Sequence, residues 1–289
     1  MSDKQKGLVE AVETLLPDAE HRFCVLHLYN NFKLSHRGLR LKEILWRAAS
    51  STRIVDFNAA MNELKNVDSK AFQWLSARSP QHWSRAYFST YLKCDMLLNN
   101  LCESFNGMIR KAREEPIISM LELIRIMLMR RIHRQRDLVG KSSSRLCPRI
   151  QLKLDELKKE AMAYNVEWNG HEQFEVIGAF QEKNVVHLGE KTCSCRKWNV
   201  SGIPCKHAIA GMSYMHYPPE EFVVDCYKKE VYLKAYSRMM KPMHGPDEWP
   251  NSNRSPLHPP IVEKLPGRPK KARKKQLGEE VAKNGKKKN

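Results

Sequence analysis

The chain has 289 residues, 42% hydrophobic and 28% charged, with a mean hydropathy of −0.59, which supports one or two packed domains and excludes collagen-like, mucin-like and wholly disordered polymers. No run of about 18 uncharged apolar residues occurs, because the most apolar stretch, 120–129, is broken by Glu122 and Arg125; no membrane span is expected. Fifty Lys and Arg against 32 Asp and Glu give a net charge of +18, which points to a polyanionic partner.

In chain order, residues 8–16 place Leu8, Val9, Ala11, Val12, Leu15 and Leu16 at helical spacing, and Pro17 follows. No apolar leader stands behind the first six residues, so secretion is not expected. His21-Arg22-Phe23-Cys24-Val25-Leu26 is rich in β-formers and predicts a strand. Between 30 and 79, helical segments such as 41–49 and 57–64 alternate with polar breaks. Two longer helices are predicted over 97–112 and 117–136, with Pro116 suited to the start of the second. The stripe Met120, Leu123, Ile124, Met127 and Leu128 predicts packing against another helix.

Ser142-Ser143-Ser144 marks a break before a polar helix over 149–164. Residues 174–178 and 185–189 predict paired strands, and 205–215 a short helix. Past residue 239 the composition turns to Pro, Asn and charge, which predicts disorder over 240–289. Half of the net charge lies there: residues 264–289 hold 11 Lys and Arg against 2 acidic residues, or +9.

Eight cysteines are too few for a disulfide scaffold, but three of them cluster. Cys193-Ser-Cys195, nine residues, then Cys205-Lys-His207 gives three thiolates and one imidazole, a composition that closes a tetrahedral shell around structural Zn²⁺. Gly202 and Pro204 shape the return, and the 205–215 helix presents Cys205 and His207 at its start. Trp198 serves either as the core of this small module or, with Arg196 and Lys197, as a basic and aromatic surface for DNA or protein.

Cys193-x-Cys195-Arg-Lys-Trp198-x3-Gly202-Ile-Pro204-Cys205-Lys-His207 resembles a SWIM-type zinc finger of the version found in plant Mutator-like element transposases. The resemblance extends to residues 2–8, similar to the segment around the second catalytic aspartate, and to 21–32, similar to the Cys-x2-His block, here Cys24 and His27. Residues 94–106 resemble the block with the catalytic glutamate, and 266–271 the basic tail. The resemblance implies an α+β, mostly helical chain. Residues 1–140 are the C-terminal part of an RNase H-like transposase core with a helical insertion, 141–169 a helical linker, 170–220 a small ββα SWIM finger, and 240–289 a disordered basic tail.

The resemblance also implies Asp3 and Glu103 as two of three carboxylates that hold Mg²⁺ ions. The first carboxylate of the family lies well before the Asp3 segment, so the expectation is a transposase-derived piece without transposase activity. An active enzyme requires that aspartate from upstream or from another chain. A third reading is a transcriptional regulator of the far-red-impaired-response type, which shares the finger. Cys24 and His27 are read as structural ahead of metal-binding.

Pro266-Gly267-Arg268-Pro269-Lys270 is similar to an AT-hook core, in which Arg268 enters a narrow A·T-rich minor groove beside phosphate-binding lysines. A nuclear localisation signal over 270–275 is an equal and compatible reading. The candidate DNA contacts are Arg268, Lys270, Lys271, Arg273, Lys274 and Lys275; the expected partners are DNA, possible protein partners of the finger, and no membrane, in the nucleus.

Overall fold

The computed structural model describes residues 1–3 and 7–250. The basic tail residues Arg268, Lys270, Lys271, Arg273, Lys274 and Lys275 lie outside the described residues, as does most of the predicted disordered segment. No helix among the described residues is long and apolar enough to cross a membrane. The chain divides into a compact unit over Met1–Met240 and a second over Lys241–Asn289. Of the second, the described part holds a 3-10 turn, Pro246–Glu248, where Trp249 donates its indole N–H to the His244 carbonyl at 2.9 Å.

The first unit begins with a helical layer: α1 (Leu8–Leu15), α2 (Val25–Ser35), α3 (Leu39–Ser50), α4 (Ile54–Val67) and α5 (Ser69–Ser76). The hydrophobic spacing dictates which faces are buried. In α2, Val25, Leu28, Tyr29 and Phe32 fall on one face; in α3, Leu41, Ile44, Leu45, Ala48 and Ala49; in α4, Phe57, Ala60, Met61 and Leu64. These faces close one core around Trp83 and Phe88, and each large apolar side chain buried there contributes about 1.5–3 kcal/mol. The α4–α5 break is set by Asp68, whose carboxylate caps α5 by accepting the Ala71 N–H at 2.9 Å.

The strand expected over residues 21–26 does not form. Phe23 makes one isolated parallel bridge to Ser2, and the chain is helical from Val25 onward. The 3–4 spacing that buries Val25, Leu28, Tyr29 and Phe32 outweighs the β-propensity of Phe23, Val25 and their neighbours. Because a parallel pair needs a crossover, α1 serves as the connection between Ser2 and Phe23. That bridge is the only β-structure among the described residues of 1–140.

Next come α6 (Asn100–Met108), shorter than the 97–112 helix expected, and α7 (Ile117–Gly140), entered through Pro116. A second core then gathers α8 (Pro148–Ala161), a four-stranded antiparallel sheet and the helices that follow it. The sheet is a meander, β1 (Asn165–Trp168), β2 (Gln173–Ile177), β3 (Lys183–His187) and β4 (Thr192–Cys193), paired in sequence order. The ββα description of this region is therefore corrected to four strands followed by α9 (Lys197–Ser201) and α10 (Lys206–Tyr214). β1 escaped notice because its burial does not alternate; only Val166 is partly covered. A last helix, α11 (Lys229–Ala235), ends the unit and holds α7 in place: the Tyr232 hydroxyl donates to Gln135 Oε1 at 3.1 Å, and Lys229 Nζ donates to the Gly140 carbonyl at 3.0 Å.

Candidate metal centre

The four predicted zinc ligands converge. The ligand atoms of Cys193, Cys195, Cys205 and His207 all lie within 4.8 Å of one another, and all four residues are buried. Their positions follow from local structure. Cys193 ends β4, held by pairing with Val186 and by donation of its N–H to Asn199 Oδ1 at 3.0 Å. The turn closes when the Arg196 N–H donates to the Cys193 carbonyl at 2.8 Å, which places Cys195 beside it. Gly202 then ends α9 at φ 72°; a Cβ there would lie 2.5 Å from Val224 Cγ1, so both conformation and space require glycine. Pro204 leads to Cys205, the residue that caps α10, and His207 sits in the first turn.

The donor set fits zinc. Zn–S bonds of about 2.3 Å and Zn–N bonds of about 2.0 Å at a tetrahedral angle give an S···N edge of about 3.6 Å. Cys193 Sγ and His207 Nδ1 are 3.7 Å apart. The thiols themselves demand a cation. Hydrogen bonds from Cys193 and then Cys205 hold the Cys195 thiol far below its ordinary value, despite burial. The same bond to Cys195, the one to Cys205 and burial drive Cys193 far above it. At Cys205 the bond with Cys193 lowers the value, but Cys195 and burial prevail and push it up to about 12. Thiolates packed together in this dry pocket repel one another and lack solvation, and a divalent ion compensates that charge. The α10 N-terminus helps, because the Ala208 N–H hydrogen-bonds to the Cys205 sulfur.

His207 is oriented from behind. Its Nε2 lies 3.5 Å from Asn184 Nδ2, and the Tyr164 ring meets it edge-on with centroids 5.0 Å apart. With Nδ1 on the metal, Nε2 carries the proton, and rotation of the Asn184 amide presents its oxygen as acceptor. Sequence reasoning missed Asn184, which is 1% exposed at the inner edge of β3. Its signal was a polar residue at an inward-facing strand position.

Of Arg196, Lys197 and Trp198, two are interior, and Trp198 takes the core place of its two readings. Trp198 is 2% exposed and packs on Phe222, which makes it part of the module's core. Arg196 turns inward, where its guanidinium donates to the carbonyls of Thr52, Arg85, Ala86 and Phe88 at 3.3, 2.9, 2.5 and 2.7 Å. Lys197 alone of that trio stays exposed. It borders a cleft of about 280 Å³ whose cations are Arg85, Lys153, Lys197 and Lys206, with Asp95 and Glu160 as the acidic members.

Asp3 and Glu103 are not brought into a comparable group. Among the described residues, the Cys3His set is the one group of three or more close ligands. Glu103 is in the first turn of α6 with Oε1 3.8 Å from His27 Nε2, and Asp3 follows the Ser2 bridge. Cys24 is buried, and its sulfur accepts the Asn99 N–H at 3.3 Å, tying α2 to the start of α6.

Residues 184–212 match the SWIM zinc finger family, a span that holds all four ligands and Asn184. No curated protein and no solved structure matches the chain.

Proposed function

We propose that this chain is a zinc-dependent, DNA-associated protein derived from a Mutator-like transposase, acting in the nucleus by binding DNA rather than cutting it. The observation that carries the reading is the basic cleft bordered by the zinc module. Two of its cations are committed: Arg85 to Asp95 at 3.5 Å, and Lys206 to Glu160 at 3.6 Å. Lys153 and Lys197 are exposed and enter no ion pair among the described residues. Structural Zn²⁺ fixes the Lys197 side of this cleft, and backbone phosphate is the ligand that two such lysines suit. The basic tail adds the charge expected of a nucleic-acid partner, with Arg268 suited to A/T-rich sites.

The test is anisotropy of a labelled duplex with the full chain over a range of salt. Contact with six or more phosphates gives a slope of log K against log salt of about −5 or steeper. Lys153→Glu with Lys197→Glu reduces the slope by about two, and substitution of Arg268 removes any preference for A/T-rich duplex. Salt-insensitive binding, or none, overturns the reading.

A second reading, an active DDE enzyme with Mg²⁺ at Asp3 and Glu103, draws on the parallel Ser2–Phe23 bridge and its helical crossover. Cleavage in Mg²⁺ or Mn²⁺ that is lost on Glu103→Gln would establish it in place of the first.

A further inference from the structure

The second half of α7 is a run of uncompensated positive charge. Arg130, Arg131, Arg134 and Arg136 fall within seven residues that contain no acidic side chain. All four are exposed, and among the described residues none is in an ion pair. The helix is fixed from one side: Val139 is its buried residue, and Gln135 and Gly140 are held by α11. At about 100° per residue, Arg130 stands directly opposite Val139, and Arg134 and Lys141 lie within about 40° of Arg130. The acidic residue of that side, Asp137, is neutralised by Lys141 at 2.7 Å.

α11 continues the positive surface. A cleft of about 380 Å³ between the two helices is lined by His133 and Arg136 on one wall and by Leu233 and Met239 on the other. Lys234 and Arg238, next to these last two in sequence, are exposed and likewise in no ion pair among the described residues.

The geometry points to this α7–α11 surface as a phosphate-binding face for duplex DNA. A guanidinium suits phosphate because its planar fork donates parallel N–H bonds to two oxygens. Arg130 and Arg134 are one helical turn apart, about 6 Å along the axis, close to the interval between consecutive phosphates of one strand. A protein partner would need apolar anchors at the centre of the contact, and the outer side of this segment offers only Leu138. A lipid surface would need a free apolar face, and in this half of the helix the side opposite Arg130 is buried at Val139. The surface shares no residue with the cleft beside the zinc module. The inference therefore rests on the DNA partner proposed above and not on the place proposed for its contact.

The test uses the full chain, a labelled duplex and a range of salt, with zinc content and circular dichroism as checks of folding. Arg130→Glu with Arg134→Glu is expected to reduce the slope of log K against log salt by about two and to weaken binding about tenfold or more near physiological salt. The same pair added to Lys153→Glu with Lys197→Glu takes off about two again, because sites without shared partners act additively. Arg130→Gln with Arg134→Gln, which removes charge without adding acid, gives a similar change of slope in a zinc-loaded chain. An arginine variant that binds like the wild type while the Lys153 and Lys197 variant loses affinity overturns this inference and leaves the DNA reading standing. The reverse pattern supports it and removes the zinc-side cleft as the carrier of that reading. A wild-type chain that binds no duplex overturns both. Binding to phosphatidylserine vesicles that is lost in the arginine variants, with duplex binding unchanged, overturns this inference in favour of a lipid surface.

Discussion

The Thr52 hydroxyl donates to the carbonyl of Cys195 at 2.7 Å, a bond that spans 143 positions of sequence and joins the helical layer to a zinc ligand. Thr52 is itself almost fully buried. Beside it, Arg196 fills a nest of four carbonyls and Val200 enters the core built by α2–α5. The zinc loop is thus part of the wall of the helical layer.

Loss of zinc is expected to reach across that wall. Cys205→Ser or His207→Ala abolishes stoichiometric metal, and with it a binding energy of about 10–16 kcal/mol in small finger modules. Hydrogen exchange should rise over residues 170–220 and also around 51–53 and 84–88, where the carbonyl nest is formed, while α7 is unchanged. Retention of one zinc per chain in both variants would show that the ligands are misassigned.

Arg196→Lys separates metal from docking. A lysine offers one ammonium where a planar guanidinium meets four acceptors, so several buried carbonyls lose their partners. Charged hydrogen bonds of this kind contribute about 1.5–3 kcal/mol each, and the expected loss of stability is at least about 2 kcal/mol in urea unfolding with zinc still bound. A variant as stable as the wild type would remove Arg196 from this role.

Asp68 makes α5 sensitive to acid. The Ala71 N–H, and then His36 at 3.3 Å, hold its carboxyl below the ordinary value of 3.8. Because the folded value is depressed, its contribution is complete above the unfolded value and is lost as pH falls through the folded one. Asp68→Ala should lower stability near neutrality by about 1 kcal/mol, with the difference from wild type shrinking below about pH 4. The pH dependence of urea midpoints for the two proteins measures this, and a constant difference down to pH 2 would exclude the carboxylate as its source.

The zinc ligands were legible because they are local: four residues within 15 positions carry their own spacing, and the Gly202 turn announces itself. α2–α4 were legible in outline because their buried residues repeat at helical spacing. Two kinds of feature were hidden. Residues 21–26 carry strand-forming side chains, but Val25 and Leu28 are claimed by a helix whose buried face continues to Phe32. The nest that turns Arg196 inward is assembled from residues 52 and 85–88, more than 100 positions away, and the Thr52 bond leaves no trace in either neighbourhood. A basic residue beside a metal ligand reads as surface unless its distant acceptors are known.

The carbonyl nest also imposes an order in time. Thr52, Arg85, Ala86 and Phe88 leave the ribosome well before Arg196, which follows Phe88 by 108 residues. At about 5–20 residues per second the acceptors wait some 5–30 s for their donor. During that interval the young helical layer has an unfinished polar wall, satisfied only by water. Arg196 acts as a keystone: it arrives late, and the helical layer made before it is complete only when it is set.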